Sequence, residues 1–204
     1  MSAATLAMNL PRALEVRGLG KSFGGIHAVK DISFDVHPGE IVGLIGPNGA
    51  GKTTCFNLIT GFYTPSAGQV RFGGSDVTGR KPYHMARMGI VRSFQKTNIL
   101  KSLTVMDNVL TGHYMEARQP LWRTFFPGRS VRAAEDAARE SAEHIVRTMG
   151  LAHRMHTPAS VLSCGGLRLL EVALALAAKP GILMLDGPAV GLNSQEGRRI
   201  AEIL

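Results

Sequence analysis

Two hydrophobic periods divide the first half of the chain. Ile32, Phe34 and Val36 alternate with Ser33 and Asp35, the period-two pattern of a half-exposed strand. Residues 14–17 read as an earlier strand, and residues 69–72, running into Gly73 and Gly74, as a later one that ends at a turn. Residues 40–45 are nearly unbroken apolar sequence after the Pro38-Gly39 turn, as in a parallel strand buried on both faces. The period then changes. Phe56, Leu58 and Ile59 supply an apolar stripe for a helix over residues 52–60, and Gly61 supplies its stop. A short helix over 82–88 and a strand over 90–94 follow.

From about residue 96 the pattern is helical. Thr104-Val105-Met106-Asp107 has the form of a capping box opening a helix through Leu110. Ser130 is the expected cap of a longer helix to Met149, closed by Gly150, with Ala134, Ala138, Ala142, Ile145 and Met149 near one face. Residues 119–129, with Pro120, Pro127 and Gly128, read as a connector anchored by Trp122, Phe125 and Phe126. A further helix is expected over 166–178, then a buried strand, Ile182-Leu183-Met184-Leu185, ending at Asp186. These elements predict an α/β fold, with an antiparallel β layer beside a parallel core and a helical segment between.

The turn between the apolar run at 40–45 and the helix at 52 carries the chemistry. Gly46-Pro47-Asn48-Gly49-Ala50-Gly51-Lys52-Thr53 reads G-x-x-x-x-G-K-T, the phosphate-binding loop. A triphosphate needs its negative charge met by donors. The glycines let successive amides point inward, Lys52 reaches the β/γ oxygens, and Thr53 ligates Mg²⁺. Thr54 completes the expected nucleotide-binding set, and the following helix aims its positive end at the same phosphates. Asp186, at the end of a late apolar strand, is the expected carboxylate for the same Mg²⁺.

Leu162-Ser163-Cys164-Gly165-Gly166 precedes the helix at 166–178. With this segment the chain resembles the ATP-binding cassette (ABC) family, whose signature is L-S-G-G-Q followed by a helix. The resemblance implies a P-loop NTPase (RecA-like) core at 12–95 and 160–204. It also implies a helical subdomain at 96–159 that docks onto a transporter. Phe23 matches the aromatic that stacks on adenine, and Gln95 the glutamine that touches Mg²⁺ and the attacking water. Lys52 and Gln95 are then the expected catalytic pair; Thr53, Gln95 and Asp186 are the expected metal ligands. Ser163 and Gly165 match the groups that close on the γ-phosphate of a second ATP-binding subunit, and 189–193 the segment crossing that dimer interface. Phe62-Tyr63, residues 86–95 and Gly191-Leu192-Asn193 look like the ATP-binding subunits of branched-chain amino-acid importers. The implied ligands are ATP and Mg²⁺. The implied partners are transmembrane permease subunits, with the chain peripheral at the cytoplasmic face of the membrane.

Three positions depart from that pattern. Gly187 stands where the family has the Glu that polarises water. Losing such a base removes a factor of about a hundred to ten thousand in rate. Gly166 stands where the signature has glutamine, and Leu169 and Leu174 where similar importer subunits carry Arg, so trans contacts to the partner's ATP are expected to weaken. The chain ends at Leu204, and none of its seven histidines lies beyond Asp186, where related domains carry one that contacts the γ-phosphate. The C-terminal part of the core is therefore expected to be missing, leaving Ile200, Ile203 and Leu204 under-covered. These departures raise a second reading, a truncated pseudoenzyme that binds ATP with little or no hydrolysis.

Bulk properties narrow the choice little further. The 204 residues suit one domain, perhaps with a subdomain. Two cysteines, Cys55 and Cys164, give no disulfide framework. No apolar run approaches a membrane span, and residues 1–10 make a poor signal peptide. The net charge of +8, with a modest cluster at Arg118, Arg123, Arg129 and Arg132, leaves a nucleic-acid-associated ABC-type ATPase as a third reading. No recognition motif accompanies that charge, so no nucleic-acid partner is expected.

Overall fold

The computed structural model describes residues 13–93, 99–114 and 129–187, without the side chains of residues 114 and 129–132. Two compact units result, Met1–Ile90 and Val91–Leu204.

The first unit is built on a four-stranded antiparallel sheet. Strands β1 (Leu14–Phe23) and β2 (Ile26–Val36) form a hairpin that pairs Leu14 with Val36 and Phe23 with Ile26. Strand β3 (Ala67–Phe72) pairs with the other edge of β1, and β4 (Ser75–Asp76) follows it, giving the order β2-β1-β3-β4. β1 runs six residues past its expected end at residue 17. Register shifts between Val16 and Leu19 break the alternation there, so a period-two reading stops short. Helix α1 (Lys52–Ile59) lies against β2 and buries Cys55, Leu58 and Ile59. Leu14, Val16, Leu19, Val29 and Val70 of the sheet are likewise buried. Gly61 follows the last helical residues as expected, at φ +79°, where an added Cβ would collide with the Arg80 carbonyl oxygen. Helix α2 (Pro82–Arg87) starts on its proline, whose missing N–H costs nothing at a first turn.

The strand expected over 40–45 is not formed. Residues 41–47 carry no strand pairing with any described strand, and Ile41, Val42 and Ile45 are exposed, Ile45 at 95%. An apolar run becomes a strand only when a neighbour takes its amides and carbonyls.

In the second unit, strand β5 (Ile90–Ser93) pairs with β6 (Ile182–Leu185). Helices α3 (Val105–Tyr114), α4 (Arg129–Thr148) and α5 (Cys164–Ala177) share one core, in which Val105, Val109, Ala142, Val146, Met149, Leu170 and Ala173 are fully buried. The capping box holds with a variation. The Asp107 amide donates to Thr104 Oγ1 (3.0 Å), while the Thr104 hydroxyl donates to Asp107 Oδ2 (2.6 Å). Asn108 is fully buried and fully used. Its Nδ2 donates to the carbonyls of Leu100 (3.0 Å) and Thr104 (2.8 Å), and its Oδ1 accepts from the Leu100 amide (2.8 Å).

Helix α4 starts at Arg129, which puts Ser130 inside the helix rather than at its cap, and Ala134 is exposed. The apolar face becomes buried only from Ala142 onward. Leu169 and Leu174, expected on a face turned to a partner, instead pack into the helical core, Leu169 buried and Leu174 half-buried. Among the described residues, no helix is long and apolar enough to cross a membrane. Trp122, Phe125, Phe126, Arg118, Arg123, the segment 189–193 and Ile200, Ile203 and Leu204 lie outside the described residues, as do the Arg129 and Arg132 side chains.

Candidate nucleotide-binding site

The phosphate-binding loop sits where β2, a turn and α1 succeed one another. A turn at 37–40 precedes it, in which the His37 amide donates to Glu40 Oε2 at 2.8 Å and the His37 ring nitrogen lies 3.0 Å from the same oxygen. The backbone hydrogen bond, then the ring contact, holds the Glu40 carboxyl below its ordinary range. Residues 46–50 are exposed, and the Ala50 amide donates to the Pro47 carbonyl at 3.2 Å, tightening the loop.

Gly51 is the N-cap of α1, at φ +82°. A side chain there would need a left-handed backbone, and its Cβ would collide with the Ala28 carbonyl oxygen. A glycine cap has no side-chain oxygen to offer, and no acidic residue occupies the first turn of α1. The first amides of that helix therefore meet no competing anion from their own segment, which is what a phosphate at a helix start requires.

Lys52 folds back over the loop, its Nζ donating to the carbonyls of Gly46 and Pro47, each at 2.7 Å. The ammonium is thereby held across the loop mouth. Thr53 is exposed at the start of α1, and Thr54 half-buried. Phe23 ends β1, 43% exposed.

In the second unit, Ser163 caps α5. Its Oγ accepts from the Gly166 amide at 3.1 Å, which leaves the hydroxyl proton free to donate elsewhere. Ser163 is exposed, whereas Gly165 and Gly166 are buried. A Cβ at Gly166 would meet Leu162 Cβ at 3.2 Å, so this residue is packed under the preceding loop.

Asp186 follows β6 as expected and meets a residue that sequence reasoning gave no role. Arg92 Nη2 donates to Asp186 Oδ2 at 2.6 Å, with side-chain exposures of 8% and 10%. The only sequence signal was an arginine inside the apolar strand β5. Removing one partner of such a buried pair costs about 3–5 kcal/mol. Among the described residues the Asp186 carboxylate meets Arg92 through Oδ2, and no protein group hydrogen-bonds its Oδ1. Gln95, expected beside it, lies outside the described residues. The loop, Lys52, Thr53, Thr54 and Phe23 belong to the first unit; Ser163, Gly165 and Asp186 belong to the second.

Comparison with known proteins shows the family of the chain. Residues 29–190 match the ABC transporter family. The high-affinity branched-chain amino acid transport ATP-binding protein LivG of Escherichia coli K12 is 39% identical over 191 residues, 94% of this chain and 75% of LivG. BraF of Pseudomonas aeruginosa PAO1, described in the same words, is 39% identical over 183 residues, 90% of this chain and 72% of BraF. Among solved structures, the ATP-binding cassette MJ1267 of an ABC transporter in its ADP conformation superposes with a TM-score of 0.78 at 32% identity, covering 94% of this chain and 75% of MJ1267. With the loop, the capped signature helix and the late aspartate all in family order, the chain belongs to the ABC transporter family, with the P-loop ATPase cassette fold.

Proposed function

We propose that this chain is the ATP-binding subunit of an importer for branched-chain amino acids, binding Mg-ATP to drive transmembrane permease subunits. One observation carries the nucleotide part. The start of α1 is left without a side-chain cap or an acidic neighbour while Lys52 is gathered across the loop at 2.7 Å from two of its carbonyls. The importer part is supported by the likeness to LivG and BraF. That likeness favours transport over nucleic-acid work and over an inert binder.

In this reading Gly46, Pro47, Asn48, Gly49, Ala50 and Gly51 wrap the phosphates with backbone amides, and Lys52 meets the β/γ oxygens. Phe23 carries the base. Thr53, Gln95 and Asp186 would hold Mg²⁺, which when bound neutralises phosphate charge. Ser163, its oxygen taken by the Gly166 amide but its proton free, would donate to the ATP of a second ATP-binding subunit, with Gly165 beside it. Residues 96–159 would form the helical subdomain facing the permease. The subunit would then sit peripherally at the cytoplasmic face of the membrane.

Gly187 sets the rate. It carries no carboxylate to orient water, so phosphate release would run about a hundred to ten thousand times below that of a subunit with a positioned base. Its φ of +64° also means that a glutamate there is strained by about 1–2 kcal/mol. Calorimetric titration of the purified chain with Mg-ATP tests the binding, and phosphate release tests the turnover. Saturable binding with slow release is expected. Absence of binding would refute the nucleotide reading, and fast release from the wild-type chain would refute the role given to Gly187.

A further inference from the structure

The ring of Phe23 does not stand alone at the end of β1. Tyr63 meets it edge-on, with centroids 5.3 Å apart and planes at 77°. Lys21 Nζ lies 5.2 Å from the Phe23 centroid and donates at 2.7 Å to the carbonyl of Thr64, the residue after Tyr63. The Ser66 amide donates to the Gly20 carbonyl at 2.8 Å, and the Ser22 amide to Ser66 Oγ at 3.2 Å. The segment after α1 is thus tied to the end of β1 by three hydrogen bonds and one ring pair. It is also tied to α1 itself, because the Tyr63 amide donates to the Asn57 carbonyl at 3.1 Å.

We propose that Tyr63 is a positioning residue for the nucleobase of ATP, fixing the Phe23 ring at a set distance from the phosphate loop through the rigid length of α1. The inference rests on the base-stacking role given to Phe23 above. The physical case is one of connectivity. Helix α1 begins at Lys52, where the phosphates are held, and its eight residues rise by about 12 Å. Four residues past its end, Tyr63 presents its ring to Phe23. Phe23 and Tyr63 are 43% and 40% exposed, so their rings are only half covered and surface remains for a base. Without the Tyr63 ring, Phe23 would be a half-exposed aromatic on a hairpin end, free to change rotamer. It would then lose ordering before each binding event. An aromatic pair in this geometry contributes enough to change affinity by about two- to tenfold.

The experiment compares Mg-ATP with Mg-tripolyphosphate, which has the phosphates and no base, by calorimetric titration of the full chain. Tyr63→Ala is expected to weaken ATP about two- to tenfold and leave tripolyphosphate unchanged. Tyr63→Phe, which keeps the ring, is expected to restore ATP binding. Phe23→Ala should weaken ATP selectively as well, and Tyr63→Leu supplies the same reading should the alanine variant fail to fold. Equal weakening of both ligands by Tyr63→Ala would show a general structural role and overturn the proposal, as would failure of Tyr63→Phe to restore binding. Selective loss in Phe23→Ala with none in Tyr63→Ala would overturn it while leaving Phe23 as the base platform. No selective loss in Phe23→Ala would remove the platform itself, and this inference with it.

Discussion

Replacing Lys52 by alanine separates ligand binding from folding. Its ammonium donates to the Gly46 and Pro47 carbonyls, each at 2.7 Å, on a loop that is otherwise open to solvent. Water takes over both carbonyls when the side chain is removed, so fold stability falls by about 1 kcal/mol or less. That corresponds to a Tm shift of about 2–4 °C for a chain of this size. On the proposed reading the loss of affinity is larger, because the phosphate oxygens that Lys52 would meet are charged and gather no replacement cation from the loop. A charge-assisted contact is worth about 1.5–3 kcal/mol, or about ten- to 150-fold in Kd. Calorimetric titration with Mg-ATP gives the affinity and differential scanning fluorimetry the melting point. Binding within about threefold of wild type would refute the cradle. A melting point lowered by about 10 °C or more would show that the ammonium holds the loop's own fold instead.

Two further outcomes test the packing around the site. A Cβ at Gly112 would lie 2.6 Å from the Leu174 carbonyl oxygen and 2.8 Å from Ala177 Cβ, so Gly112→Ala forces α3 and α5 apart. A cost of about 1–3 kcal/mol is expected, read as a lower denaturant midpoint, and an unchanged midpoint would contradict the close helix approach. Of the two thiols, Cys164 is exposed at the start of α5, whereas Cys55 is fully buried in α1 and burial pushes it up to about 11. At pH 8 a thiol reagent should label Cys164 rapidly and Cys55 only after unfolding; two fast thiols would refute the packing of α1 on its sheet.

Much of the site was legible locally. The glycines, lysine and threonine of residues 46–53 prescribe a turn running into a helix, and α1 starts at Lys52 as expected. Thr104 caps α3 with Asp107 and Asp186 ends its strand, as expected, whereas α5 starts at Cys164 under a Ser163 cap, two residues ahead of its expected start at 166. Each of these rests on dihedral preferences or hydrogen bonds within a few residues, which neighbouring sequence controls. Leu169 and Leu174 were harder, because an apolar residue on a helix states that something covers it but not what. Only the packing against α3 and α4 shows that these leucines complete a core.

The amino-acid order alone determined that a G-x-x-x-x-G-K-T turn, a signature segment leading into a helix, and a late aspartate follow one another in family sequence, since turn chemistry and helix starts are written in adjacent residues. Tertiary structure alone decided that residues 41–47 find no strand partner among the described residues, that Arg92 reaches Asp186 across 94 positions, and that the Tyr63 ring meets Phe23 edge-on. Strand pairing, buried charge and ring contacts depend on which distant segments meet, and no local period encodes that meeting.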